Sequence, residues 1–301
     1  MRRSPNWIVM MAAVVLLGGV GLLAKGLFSG GGGAADTYLA GSATTASPTP
    51  AGPSPEELAT IEQTKRAKAL DAALKKYAAT VPEFSVAVLD RKTGVTYAYR
   101  GAETYETASV VKVQVLACLL LTAQDAGRKL TTSEDSRAKL MIRNSDNDAT
   151  TSLFTSLGKQ AAIQKCDKRL GLTGTTVNSA WGLTRTTATD QVKLLSQLVS
   201  TTSPIKARGR AYAYSLMSTV NAEQDWGVPA AAKAGEKTTV KNGWLARSTE
   251  NGRWIINTVG RITGDDVDVS IAVLSHGHQS MSGGMAVVEK VAKLTRTYLK
   301  Y

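Results

Sequence analysis

Apolar positions recur at helical spacing over residues 56–78, where Leu58, Ile61, Leu70, Leu74 and Tyr77 share one side and lysines and glutamates take the other. The period then drops to two. Residues 84–90 and 95–99 read as strands around a turn at 91–94. Residues 110–126 carry Val113, Val115, Leu116, Leu119, Leu120 and Leu121 and are apolar nearly all round, the mark of a buried helix. From Thr131 the chain turns polar and helical as far as Arg143, and further helices are predicted at 148–157, 159–169, 190–200 and 206–220. Strand patterning returns at 238–245, 254–262 and 267–275, and a last helix covers 281–300. This order predicts an α/β fold of the α+β kind with two lobes: one antiparallel five-stranded sheet flanked by the terminal helices, an all-helical lobe beside it, and a cleft between.

The chain begins differently. Met1-Arg2-Arg3 precedes an apolar run at 7–23, and a basic start of this kind keeps the N-terminus in the cytoplasm and sends the rest of the chain across a membrane. Lys25 after the run and a poor cleavage site at Ala34-Ala35 favour a retained signal-anchor over a cleaved signal peptide within residues 1–28. Residues 29–55, with Gly30 to Gly33 and prolines at 48, 50, 53 and 55, form a flexible linker, so the folded domain spans 56–301 and works outside the cytoplasm, tethered or secreted.

A formal net charge of +12 suits anionic lipid head groups or wall polymers. Nucleic acid is excluded as a partner by the scatter of lysine and arginine and by the export segment. Cys118 and Cys166 are the two cysteines, and the first lies in the buried helix, so the reading is two unpaired small apolar residues. His276 and His278 are read as solvated loop residues: no Gly-x-Ser-x-Gly serine awaits them, and no cluster completes a metal site. No metal or organic cofactor is expected, and the chain is read as a monomer.

Candidate chemistry centres on Ser109 and Lys112, three apart and therefore on one helix face at the start of the apolar run. A serine in a helix's first turn sits among free backbone N–H groups, and a buried lysine loses part of its affinity for a proton and can act as base. Ser-x-x-Lys also begins at Ser136, Ser156 and Ser203, so the context of Ser109 is what distinguishes it. Ser145-Asp146-Asn147 comes next, at a helix junction, where Asp146 is read as holding the loop through backbone hydrogen bonds. Lys241-Asn242-Gly243 then lies on a predicted strand, and Gly243 is read as keeping room for a substrate along that strand. A literal Lys92-Thr93-Gly94 precedes Ser109, falls in a hairpin turn and is set aside.

These three boxes, in this order, resemble those of the penicillin-recognising serine hydrolases, which include class A β-lactamases and D-Ala-D-Ala peptidases, over roughly residues 56–301. The resemblance implies acylation of Ser109, proton transfer to Lys112, and a proton path through Ser145 supported by Lys241. It further implies substrate contacts from Asn147, Asn242, Gly243 and Trp244, with the backbone N–H groups of Ser109 and Trp244 as oxyanion donors; Trp244 is also read as lining the cleft, and Trp181 as packing. The expected substrate is a β-lactam or a peptidoglycan stem peptide. Two departures stand out. Asn242 replaces the usual hydroxyl residue, and residues 173–189 contain no glutamate or aspartate where class A enzymes carry a water-activating glutamate. A β-lactam acyl-enzyme is therefore expected to persist, and a slow lactamase, a peptidase and a non-catalytic penicillin-sensing or envelope-binding module all remain open. Arg247, just beyond the strand lysine, is read as a surface charge with a carboxylate as its alternative partner.

Overall fold

The computed structural model describes residues 52–301; the expected membrane segment and all but the end of the linker lie outside them. Helix α1 (Pro55–Ala78) starts with a capping box between Ser54 and Glu57 and a proline in its first turn, both of which satisfy or remove free N–H groups. Strands β1 (Phe84–Asp90), β2 (Thr96–Tyr99) and β3 (Thr104–Glu106) lead through a 3-10 turn at Ala108–Val110 into helix α2 (Val111–Asp125). Helices α3 (Thr132–Arg143), α4 (Asn147–Ser156) and α5 (Lys159–Leu170) come next, then the short strand β4 (Arg185–Thr187) and helices α6 (Ala188–Gln197) and α7 (Ala207–Met217). The chain closes with β5 (Lys237–Arg247), β6 (Arg253–Thr263), β7 (Asp268–Ser275) and α8 (Met281–Leu299).

The five-stranded sheet runs β2-β1-β7-β6-β5 with every pairing antiparallel. Alternation along its strands feeds two cores. Val86, Val88, Ile256, Ile262, Val269 and Ile271 face α1 and α8, while Ala87, Val259 and Ala272 face the helical lobe. Helix α6 lies across that second face, and α2 runs through the lobe packed by α3, α4, α5 and α7. From Val111 to Leu121 no residue of α2 is exposed, so a stretch apolar enough to cross a membrane serves here as a core.

Four details depart from the expectations of the sequence. The first half of α1 leaves Leu58 and Ile61 more than half exposed, and its burial rests on Leu70 and Leu74. Strands β3 and β4 pair in a separate two-stranded sheet, which three-residue segments give no periodicity to predict. Cys118 and Cys166 are joined in a disulfide between α2 and α5, because the packing of those helices brings their Cα atoms to 5.6 Å. His278 is buried, with Nε2 2.9 Å from Ser275 Oγ, and burial depresses its pKa to about 4; His276 is half-buried, beside Glu83.

Candidate active site

The turn before α2 is held open by unfavourable backbone. Ala108 has a φ of 44°, a left-handed conformation that an L side chain resists, and Ser109 comes directly after it, half-buried. Asn257 on β6 fixes this turn from beneath. Its Nδ2 donates to Glu106 O at 2.9 Å and Thr107 O at 3.0 Å, while its Oδ1 accepts from Ser275 N at 3.0 Å. Nothing in the sequence points to residue 257, because an asparagine on an otherwise apolar strand carries no motif.

Strand β5 passes against the same turn. A Cβ built on Gly243 would stand 2.8 Å from Ser109 N, 2.8 Å from Thr107 O and 2.9 Å from Val110 N, so only glycine allows this approach. Lys241, two residues earlier on the same face of the strand, is buried and donates to Ser145 Oγ at 2.9 Å and Asn242 O at 2.7 Å. Ser145, with a φ of 57°, is a second strained residue; Asp146 next to it caps α4 by accepting Ala149 N at 2.6 Å. That capping bond is the loop-holding role expected of Asp146.

Lys112 reaches the same hydroxyl from the other side. Its Nζ donates to Ser145 O at 2.5 Å, to Asn147 Oδ1 at 2.8 Å and to Ser145 Oγ at 3.2 Å. Ser109 is not among these partners, so the lysine expected to meet Ser109 directly is instead turned onto Ser145 and Asn147. The indole of Trp181 covers the ammonium with its ring centre 5.1 Å away, anchored by a bond from Nε1 to Thr151 Oγ1 at 3.1 Å. Trp181, assigned to packing by sequence, therefore borders the site.

Neither lysine carries an ordinary pKa. Burial lowers Lys112 to about 7, against a smaller pull upward from the Asp146 carboxylate. Burial also holds Lys241 well below the usual amine range, and the neighbouring Lys112 adds to the effect. Two amines sharing one hydroxyl with no carboxylate bonded to either resist being charged together, which makes one of them available as a proton acceptor near neutrality.

Asn242 of the third box and Trp244 just past it point elsewhere. Asn242 is buried on the opposite face of β5, where Nδ2 gives both hydrogens to Gln224 O at 2.8 Å and Trp226 O at 3.0 Å. The expected substrate contact through its amide is thus corrected: strand alternation turns 242 away when 241 and 243 face the cleft. Trp244 shares that opposite face, its ring 6.1 Å from Trp226 in the core under α8, so its side chain does not line the cleft. Arg247, again on the cleft side, lies 3.0 Å from Glu106. Lys92-Thr93-Gly94 lies at the rim of a cavity of about 1010 Å³ between α1, the β6–β7 turn and the end of α8, away from Ser109. Among the described residues no group of three or more His, Cys, Asp or Glu is placed to hold a metal ion.

A family model described as the beta-lactamase enzyme family matches residues 135–299, more than half of the chain. The proteins named "Putative lipoprotein LppW" from Mycobacterium bovis and Mycobacterium tuberculosis are 30% identical over 170 residues, 54% of this chain and 54% of theirs. The chain thus spans about half the length of these curated relatives. Among solved structures, a class A beta-lactamase from Mycobacterium abscessus aligns at a TM-score of 0.65 and 19% identity, covering 78% of this chain and all of that one (100%). An ancestral class A beta-lactamase aligns at 0.66 and 20%, covering 76% and 99%. At these identities the likeness is one of fold, and the two-lobed architecture is the class A β-lactamase fold.

Proposed function

Since the chain belongs to the beta-lactamase enzyme family, we propose that it is a serine hydrolase acylated on Ser109 by a β-lactam or a D-Ala-D-Ala-type amide. The observation that carries this reading is the convergence on one hydroxyl: Lys112 and Lys241 both bond Ser145 Oγ, while Gly243 lies against the backbone N–H of Ser109. In the proposed reaction neutral Lys112 takes the Ser109 proton as Oγ attacks the carbonyl carbon, after a rotamer change that releases the amine from Asn147 or Ser145. The oxyanion is held by the N–H groups of Ser109 and Trp244, and loss of one such donor costs on the order of a hundredfold in rate. As the C–N bond breaks, Ser145 gives its proton to the leaving nitrogen and is reprotonated from Lys112, which returns the amine to its starting state. Lys241 supports Ser145 throughout, and Asn147, at the open side of the site, is suited to the substrate's amide side chain.

The fate of the acyl group divides the readings. The segment leading to β4 carries no carboxylate, and the next acid, Asp190, is committed to Gly174 N at 2.8 Å and Thr175 Oγ1 at 2.7 Å. Trp181 presents a ring, which cannot activate water, to Lys112. These features favour a persistent acyl-enzyme, hence a peptidase or a penicillin-binding sensor, over an efficient lactamase. Chromogenic cephalosporin separates them: a burst of about one equivalent with negligible turnover afterwards is the expected outcome. Sustained turnover identifies a lactamase, and no signal from wild type contradicts the hydrolase reading. The apolar run at 7–23 and the lipoprotein relatives support a domain tethered to the outer face of the cytoplasmic membrane, preceded by a linker that ends near residue 55.

A further inference from the structure

The peptide planes that precede the strained Ala108 are pinned by Asn257. The plane joining Glu106 and Thr107 is held from both sides: Thr107 N donates to Thr184 O at 2.8 Å, and Glu106 O accepts from Asn257 Nδ2 at 2.9 Å. The plane joining Thr107 and Ala108 is held through Thr107 O, which accepts from Asn257 Nδ2 at 3.0 Å and from Val110 N at 3.2 Å. With these planes fixed, the backbone rotation at Ala108, with its φ of 44°, sets the direction of the next plane, which carries the Ser109 N–H. A left-handed conformation at a residue with a side chain persists only where the surroundings hold it.

Asn257 has no freedom to turn away. It is fully buried, shares a face of β6 with Val259, and stands opposite Gly243 in the β5–β6 ladder. Its Oδ1 accepts from Ser275 N at 3.0 Å, which fixes the end of the amide that donates. Ser275 is fastened in turn, its Oγ bonded to Ile256 O and 2.9 Å from His278 Nε2. A Cβ at 243 would stand 2.8 Å from Thr107 O, the oxygen that Asn257 holds, so glycine leaves that carbonyl open to the amide across the ladder. Both amide hydrogens are engaged and the side chain has no exposed surface, so Asn257 does not itself touch a substrate.

We propose that Asn257 is a positioning residue for acylation: by holding the planes ahead of Ala108 it keeps the Ser109 N–H and hydroxyl aimed at the acyl carbonyl. This rests on Ser109 as the acylated residue and concerns the chemical step, not substrate binding. The test follows acylation of the full-length chain by a fluorescent penicillin over a range of concentrations, which separates the saturating rate constant from the half-saturating concentration. In folded Asn257→Ala the saturating rate constant is expected to fall roughly tenfold or more, with the half-saturating concentration within about twofold of wild type. Asn257→Leu keeps the volume without the donors and is expected to be as slow; it carries the test if the alanine variant does not fold. Adding Ala108→Gly to Asn257→Ala should restore part of the rate, since glycine takes a positive φ without strain. Saturating rate constants within about twofold of wild type in the folded variants overturn the proposal and leave Ser109 as nucleophile. A loss confined to the half-saturating concentration also overturns it, because that marks a lost substrate contact. A wild-type chain that is never acylated overturns the Ser109 reading itself, and the proposal with it.

Discussion

Lys112 has no exposed surface and hydrogen-bonds only to neutral oxygens, and burial brings its pKa to about 7. Only the unprotonated amine can accept the Ser109 proton, so the sign of the pH dependence is fixed. Acylation should be slow at pH 5, rise through a midpoint near 7 and level off by pH 9, measured as the rate constant for a fluorescent penicillin. A flat profile over that range would exclude Lys112 as the base. Lys112→Met should lower the rate by roughly a hundredfold or more with the fold intact by circular dichroism. Asn257→Ala removes both side-chain hydrogen bonds that hold the strained turn and the acceptor of Ser275 N, and should cost about 1–3 kcal/mol in urea unfolding. At this scale the spacing of Ser109, Lys112, Ser145 and Lys241 is legible because each sits in a short local pattern. Asn257 and Trp181 are not, because their importance comes from neighbours distant in sequence. Asn242 and Trp244 mislead for a different reason: adjacent strand residues face opposite ways, and a motif written as a string hides that.

Between elements, the buried interface of α2 and α5 holds both a disulfide and a polar pair. The disulfide Cys118–Cys166 joins them across 48 residues of chain, and Asp167 lies next to it with both oxygens near Gln114 Nε2, at 3.3 and 3.1 Å. Opening the disulfide with Cys118→Ala and Cys166→Ala should lower stability by about 2–4 kcal/mol, read from urea unfolding. Burial raises Asp167 to about 7, above its value in an unfolded chain. The native state therefore binds the extra proton between about pH 4 and 7, and this carboxyl's contribution to stability is full below that window and lost as pH rises through 7. Asp167→Asn should accordingly gain more stability relative to wild type at pH 8 than at pH 5; equal effects at both would contradict the shift. The long helices and strands can be read from periodicity, whereas β3, β4 and the cysteine pairing cannot. Three residues are too few for a period, and a disulfide is a statement about how helices pack.

For the molecule as a whole, a sheet shared by two cores sets the site at the seam between them. Strand β5 brings Lys241 and Gly243 from the sheet, α2 and its leading turn bring Ser109 and Lys112 from the lobe, and the α3–α4 junction brings Ser145 and Asn147. The two-lobed order is readable from the sequence because strands cluster at both ends of the domain and helices between them. The missing acid between residues 173 and 189 is readable from the sequence, and the structure adds that the ring of Trp181 covers Lys112. The central claim is that a single hydroxyl, on Ser109, becomes covalently modified. Intact-mass and peptide mapping of the chain after incubation with benzylpenicillin tests it most directly. The account predicts one adduct, mapped to Ser109, persisting over many minutes and absent from Ser109→Ala; an adduct on another serine, or the same adduct in Ser109→Ala, would contradict it.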